Sequence, residues 1–283
     1  MPYLNVTHPN QDVLNLHFVD TGFKDPTAPG ATVVLIHGWP LSHRMWEPQL
    51  EALYQAGHRA IAYDRRGFGD SSKPWSGYDY DTLSDDLHAL LEALDLKQVV
   101  LVGFSMGGGE VARYIARHGE QRIAKLALLG AVTPYLLKDE SNPEGVDGSV
   151  FEQMLDGVRK DRPAFLAPFG KAFLNWSEEQ PSVSPEWLDY NRIIALFASP
   201  HGTLECIKAF SATDFRDDLK RIKLPTLVLH GDSDQTVPFE VSGKRVTEFV
   251  PHAQVELIEG GPHGFNLTHV EHTNRQLLDF IKA

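Results

Sequence analysis

Val99-Val100-Leu101-Val102-Gly103-Phe104-Ser105-Met106-Gly107-Gly108-Gly109-Glu110-Val111-Ala112 is the stretch whose reading decides the fold. Four apolar residues, three of them β-branched, open it as a buried strand. The segment after the glycines carries Val111, Tyr114 and Ile115 beside Glu110 and Arg113 and reads as an amphipathic helix. Ser105 therefore sits on a strand-to-helix turn, framed as Gly103-x-Ser105-x-Gly107. So tight a turn forces strained dihedrals on the serine and brings strand and helix too close for a Cβ on either side. The hydroxyl is pushed out above the sheet, where the free N–H groups and positive dipole end of the following helix face any negative charge that develops.

A rival reading uses the same glycines. Gly107-x-Gly109-x-x-Ala112 between strand and helix also matches a dinucleotide-binding fingerprint. That fingerprint needs an acidic residue at the end of the next strand to hold the ribose. The next strand spans residues 123–130, and Leu126-Ala127-Leu128-Leu129-Gly130-Ala131-Val132 has no acid, so the nucleotide reading is set aside.

Outward from this turn, 283 residues suffice for one large α/β domain or for a core carrying an insertion. A formal net charge of -12 argues against nucleic acid and anionic membranes as partners. The single cysteine, Cys206, excludes an internal disulfide framework and reads as a small apolar filler in a reducing compartment. The start Met1-Pro2-Tyr3-Leu4-Asn5-Val6 lacks the basic and apolar runs of a signal peptide, and no apolar stretch has the length of a membrane span. A cytoplasmic location is the expectation.

Residues 3–6 and 14–20 alternate as an opening hairpin, and residues 32–37 form a compact buried strand running into His37-Gly38-Trp39-Pro40. A helix through Met45, Trp46, Leu50, Leu53 and Tyr54 leads to a strand over residues 59–64 and a polar loop, Asp64-Arg65-Arg66-Gly67-Phe68-Gly69-Asp70. The charges of this loop read as makers of loop hydrogen bonds and ion pairs. Leu83, Leu87, Leu90, Leu91 and Leu94 mark the helix before the central strand. Alternation of strand and helix predicts an α/β fold with a mostly parallel sheet covered on both faces.

After Val132 the alternation stops. Residues 134–218 are expected to be a helical cap inserted between two parts of a core, residues 1–133 and 219–283. The cap holds more aromatics than a thin lid needs for its own packing, so some should wall an apolar substrate pocket; Phe165, Phe169, Trp187 and Phe197 are assigned to it. The core resumes with a strand ending at His230. Gly231-Asp232-Ser233-Asp234 turns off its end into a helix, residues 255–258 form the last strand, Gly260-Gly261-Pro262-His263-Gly264 a stiff loop, and residues 268–281 the closing helix.

A serine hydroxyl becomes a nucleophile only when a base takes its proton and a carboxylate orients that base. Ser105, Asp234 and His263 each follow a strand, and strand ends converge on one rim of a parallel sheet. Among thirteen histidines, only His263 lies in a post-strand loop between glycines beyond the acid. Asp232 is read as a hydrogen-bond partner of its own turn. His269 and His272, three apart on the last helix, read as a solvated face, since no third ligand accompanies them, and no metal site is expected.

These residues resemble a family. The segments His37-Gly38-Trp39-Pro40, Tyr63-Asp64-Arg65-Arg66-Gly67, Gly103-Phe104-Ser105-Met106-Gly107-Gly108-Gly109-Glu110, Phe210-Ser211-x-Thr213-Asp214-Phe215, His230-Gly231-Asp232-x-Asp234-Gln235-x-Val237-Pro238 and Pro262-His263-Gly264 are similar to those of the cofactor-free bacterial haloperoxidases, perhydrolases and aryl esterases of the α/β-hydrolase superfamily. The resemblance implies an α/β-hydrolase fold with Ser105 as nucleophile, Asp234 as orienting acid, His263 as general base, and the N–H groups of Trp39 and Met106 as oxyanion hole. It implies cleavage of small to medium, aryl or alkyl, carboxylic esters with no cofactor. It also implies peracid formation when hydrogen peroxide replaces water, with Pro40 tuning that step. The cap matches the family least. Two other uses of the same frame stay open, a slow-turnover ligand receptor and a lactamase acting on a cyclic amide, and self-association into a homo-oligomer is compatible with the composition.

Overall fold

In the computed structural model, residues 2–6 and 13–283 are described. Among them, β1 (Tyr3–Val6), β2 (Leu14–Asp20), β3 (Thr32–Ile36), β4 (Arg59–Tyr63), β5 (Val99–Phe104), β6 (Ile123–Leu129), β7 (Thr226–Gly231) and β8 (Gln254–Ile258) form an eight-stranded sheet in the order β1-β2-β4-β3-β5-β6-β7-β8. The first two strands run antiparallel to their neighbours and the rest pair in parallel. Strands β1 and β2 pair as the expected hairpin arms; residues 7–12 between them lie outside the described residues.

Parallel neighbours need crossovers, supplied by α1 (Glu47–Gln55), α2 (Tyr80–Ala93) and α3 (Met106–His118) in the first half. Because helices lie on both faces, all six residues of β5 are buried, which is why that strand reads as an unbroken apolar run. The chain reverses direction across the sheet between β3 and β5, and Ile36 pairs with Gly103 there. At such a switch point the loops leaving adjacent strands part and open a crevice. Here they are the loops bearing Trp39 and Ser105.

From β6 to β7 the chain runs through α4 (Gly148–Phe173), α5 (Pro185–Leu196), α6 (Pro200–Ala212) and the short α7 (Arg216–Leu219). The first of these breaks at Asp161, whose φ of -161° and ψ of 90° leave the helical region. Its carboxylate accepts the Ala164 N–H at 3.0 Å and so caps the second segment, which puts Pro163 in a first turn, where its missing donor does no harm. Two expectations need correction. The segment after Pro238 forms 3-10 turns, Phe239–Val241 and Gly243–Glu248, and no α-helix. The closing helix is divided into α8 (Phe265–Thr268) and α9 (Val270–Lys282), because His269 has φ -122° and ψ 48°.

The loop after β4 is more buried than its charges foretell. Arg65 donates from Nε to Glu110 Oε2 at 2.7 Å and from a terminal amine to the His37 carbonyl at 2.8 Å, and both charged side chains are essentially inaccessible. Arg66 makes a two-pronged contact with Asp86 at 2.6 and 2.8 Å. Asp64 is saturated: its oxygens accept the His43 N–H at 2.7 Å, His43 Nδ1 at 2.8 Å, the Asp70 N–H at 2.8 Å and His17 Nδ1 at 3.2 Å. Removing one member of a buried pair strands the other charge. Arg65→Met should therefore lower unfolding free energy by about 3–5 kcal/mol, read from urea melts against the unaltered protein; a loss below about 1 kcal/mol, the range of exposed pairs, would show that the pair carries no such weight.

Candidate active site

Ser105 sits at φ 54° and ψ -117°, outside the regions an L-residue adopts freely. Crowding holds it there. A Cβ on Gly103 would stand 2.4 Å from the Gly107 carbonyl oxygen, and one on Gly107 would stand 2.5 Å from that of Ile36, so both positions accept only glycine. The Ser105 N–H donates to the Leu129 carbonyl at 2.8 Å, which ties the turn to the neighbouring strand end.

The loop after β8 carries His263. Its Nε2 lies 2.9 Å from Ser105 Oγ and its Nδ1 lies 2.6 Å from Asp234 Oδ2. The other carboxylate oxygen of Asp234 accepts the N–H groups of Thr236 at 2.9 Å and Val237 at 2.8 Å. Burial raises the Asp234 pKa, but the charge of His263 and the hydrogen bonds from His230 and His263 outweigh it and hold this carboxyl below the usual carboxylate range. Asp232 is turned elsewhere: its Oδ1 accepts the Gly260 N–H at 2.8 Å and the Ser233 hydroxyl at 2.9 Å, joining the two loops. The end of α4 braces both, since Gly264 N–H donates to the Phe173 carbonyl at 2.8 Å and Asn175 Nδ2 to the Ser233 carbonyl at 3.2 Å. The Phe173 ring meets the His263 imidazole edge-on at 5.1 Å.

Met106 is the first residue of α3, so its N–H has no intrahelical acceptor. The Trp39 N–H likewise has no hydrogen-bond acceptor among the described residues. The Trp39 indole belongs to the wall of the site: its Nε1 donates to the Thr203 carbonyl at 3.0 Å and its rings contact Phe169 and Phe210. Pro40 follows it, buried, and the peptide between them is cis. Beneath this turn, His37 Nδ1 donates to the Gly38 carbonyl at 2.9 Å and Nε2 accepts the Arg65 N–H at 3.0 Å. Burial and the nearby Arg65 charge push the His37 pKa down to about 3.

Ser105 and His263 line a cavity of about 50 Å³ together with Val132, Leu136, Phe151, Met154, Phe169 and Phe210, and Thr236 and Val237 also border it. Of the four aromatics assigned to the pocket, Phe169 lines it and the other three do not. Phe165 stacks behind Phe169 at 6.0 Å, Trp187 packs edge-on against Tyr190 at 5.6 Å, and Phe197 is 63% exposed beside a separate hollow that includes Arg44, Asp70 and Tyr190. Helical spacing identifies an apolar face but not the neighbour it meets, and no residue of α5 lines the cavity over Ser105. Phe151 and Met154, which line the cavity, are not among the four assigned to it; they share the helical spacing at the start of α4, which does not separate cavity-facing residues from the rest.

The described residues bring together one set of groups able to meet a cation: ligand atoms of His17, His43, Asp64 and Asp70 lie within 4.8 Å of one another. Asp64 is already satisfied there by the four donors named above, and the cluster works as a hydrogen-bonded knot. His269 and His272, the pair that drew attention in the sequence, do not form such a group among the described residues.

A sequence model of the alpha/beta hydrolase fold family matches residues 31–270, and the chain belongs to that family. Within it, the chain is 54% identical to a bromoperoxidase from Bacillus anthracis whose crystal structure superposes with a TM-score of 0.91, covering 97% of this chain and 98% of that one. It is 41% identical over 274 residues to a non-heme chloroperoxidase from Streptomyces lividans, covering 96% of this chain and 98% of the relative. It is 40% identical over 269 residues to a bifunctional esterase/perhydrolase from Acinetobacter calcoaceticus, covering 94% and 97% of the two chains. No helix among the described residues is long and apolar enough to cross a membrane.

His37 makes stability depend on pH with a definite sign. A base whose folded pKa lies below its unfolded value takes up a proton on unfolding, so the stability held by neutral His37 is complete above pH 6.5 and is lost as pH falls toward 3. Urea midpoints should decline across this range with up to about 1.4 kcal/mol per pH unit from this group, and His37→Asn should make the decline shallower. Equal slopes in both proteins would mean that His37 is not the titrating group.

Proposed function

We propose that the chain is a serine hydrolase that cleaves small carboxylic esters through an acyl-serine and that transfers the same acyl group to hydrogen peroxide. The observation that carries this reading is the continuous relay from Ser105 Oγ to His263 at 2.9 Å and on to Asp234 at 2.6 Å, at the floor of an apolar cavity. The names of its haloperoxidase and esterase/perhydrolase relatives support it. The helices between β6 and β7 support reading residues 134–218 as a cap on a core made of residues 1–133 and 219–283. Cys206, buried and unpaired, fits a reducing compartment such as the cytoplasm.

In the proposed cycle His263 Nε2 takes the Ser105 proton as Oγ attacks the ester carbonyl carbon. The carbonyl oxygen becomes an oxyanion, held by the Trp39 and Met106 N–H groups, while Asp234 steadies the imidazolium through Nδ1. Collapse of the intermediate breaks the bond to the alcohol oxygen, which receives the proton from His263. Water, deprotonated by His263, then attacks the acyl carbon and releases the acid and Ser105. Hydrogen peroxide in place of water releases a peracid, which oxidises halide in solution without a bound cofactor. The apolar walls of the cavity favour an apolar acyl group.

Pro40 is the residue we connect with peroxide. It lacks an N–H and fixes its own φ, so it limits where the carbonyls of the Trp39 turn point, and a carbonyl aimed at the acyl-enzyme would accept a hydrogen bond from the second O–H of hydrogen peroxide.

A fluorophosphonate should label the protein once, on Ser105, and Ser105→Ala should abolish both labelling and ester turnover; full activity in that variant would refute the assignment. Asp234→Asn should lose about three to four orders of magnitude in kcat, whereas Asp232→Asn should chiefly lower the melting temperature; the opposite ranking would exchange the two acids. For Pro40→Leu, the ratio of peracid formation from acetate and hydrogen peroxide to ester hydrolysis should fall. An unchanged ratio in a folded variant would leave plain ester hydrolysis as the function.

A further inference from the structure

The acid of the relay has a second histidine on it. His230, the penultimate residue of β7, is fully buried, and its Nε2 lies 2.8 Å from the Val237 carbonyl oxygen and 3.3 Å from Asp234 Oδ2, the same oxygen that faces His263. Both neighbours of Nε2 are acceptors, so the proton sits on this nitrogen. The opposite nitrogen, Nδ1, has no hydrogen-bond partner among the described residues. It points at Gly243, where a Cβ would stand 2.5 Å away, and the Phe239 ring packs on the same imidazole at 5.5 Å. A ring enclosed in this way has one orientation, with its N–H aimed at the acid loop.

We propose that His230 is a positioning residue for the reaction, acting through Asp234. This rests on the assignment of Ser105, His263 and Asp234 made above. The reason lies in the count of donors around one carboxylate. Thr236 and Val237 N–H groups occupy Oδ1, while His263 and His230 share Oδ2. The shared N–H of His230 spans the acid and the loop carbonyl three residues beyond it. Outward movement of the loop would therefore break the buried hydrogen bond to Val237, and rotation of the carboxylate away from His263 would lengthen the 3.3 Å contact of Oδ2 with the same N–H. With the donor in place, Oδ2 stays where the imidazolium forms when Ser105 gives up its proton. Without it, the two backbone donors hold Oδ1 and only His263 meets Oδ2, so nothing independent of the reacting imidazole fixes that oxygen.

The effect belongs to the chemical step and not to ester binding, because His230 lines no part of the cavity over Ser105. His230→Leu should lower kcat by roughly 10-fold with KM within about two-fold of the unaltered protein. Rates are taken per Ser105 site titrated with a fluorophosphonate. His230→Gln, whose side-chain amide offers an N–H to the same acceptors, should recover most of that loss. A merely structural role would lower the melting temperature in both variants and leave kcat per titrated site unchanged, which would overturn the proposal, as would a Gln variant no better than Leu. Should His230→Leu fail to fold, NMR of the unaltered protein with isotopically labelled histidine decides. The proton of His230 on Nε2 supports the proposal, and its proton on Nδ1 overturns it, because no N–H would then face Asp234. Failure of the fluorophosphonate to label Ser105 in the unaltered protein would overturn the relay and this inference with it, whereas labelling with an unaffected His230→Leu overturns only the inference.

Discussion

The buried contact between Arg65 and Glu110 joins the two halves of the site that must not drift apart. Glu110 stands one turn into α3, the helix whose first N–H follows Ser105, and Arg65 also grips the His37 carbonyl at the end of β3, two residues before Trp39. Burial pushes the Glu110 carboxyl up and the Arg65 guanidinium down, the direction in which each loses its charge, and the contact between them at 2.7 Å opposes that loss. The spacing between the Trp39 and Met106 N–H groups thus depends on a cross-link that lies below the floor of the cavity and never meets a substrate. Hydrophobic packing around β3 and β5 would hold the strands together, but it is not directional enough to fix two donors on one point.

The same economy recurs around the other loops. The parallel sheet delivers Trp39, Ser105, Asp234 and His263 to one rim, but each arrives on an irregular segment whose backbone polar groups need partners. Asp64 supplies them for the turn after β4, Asp232 for the junction of the β7 and β8 loops, and the C-terminal end of α4 for the glycine after His263. The segment between β6 and β7 is therefore more than a cover, because its Phe173 and Asn175 are built into the frame that holds the relay. A change that moved the end of α4 would reach His263 and the acid loop as well as the cavity.

The cavity shows a division of labour. Its walls are apolar, and the polar side chains that reach it are those of Ser105, His263 and Thr236 together with the indole of Trp39, whose N–H is already taken by the Thr203 carbonyl. In so dry a space a developing oxyanion interacts strongly with the few dipoles aimed at it. A low-dielectric site also raises the penalty for a misaligned carboxylate, which gives the crowded donor shell of Asp234 its importance.

Local chemistry made a large part of this legible in the residues alone. A β-branched run followed by Gly-x-Ser-x-Gly and a helical repeat has few ways to fold, because only glycine tolerates the contacts at positions 103 and 107. Strand and helix alternation then specified a parallel sheet, and the chain order of Ser105, Asp234 and His263 placed each after a strand, so that their meeting at hydrogen-bond distance follows from topology. Tertiary packing decided the rest. Nothing in the spacing along α5 says that Trp187 and Phe197 turn from the cavity while Phe151 and Met154 face it, since periodicity defines a face and not its partner. The charges of Asp64-Arg65-Arg66 read as makers of hydrogen bonds and ion pairs, but which partners they take is decided by the fold, because Glu110 and Asp86 lie on helices remote in sequence. His230 closed a strand and nothing more until the fold set its Nε2 against Asp234. Burial and pairing are properties of the assembled chain, and a side chain's role changes with what the rest of the molecule brings beside it.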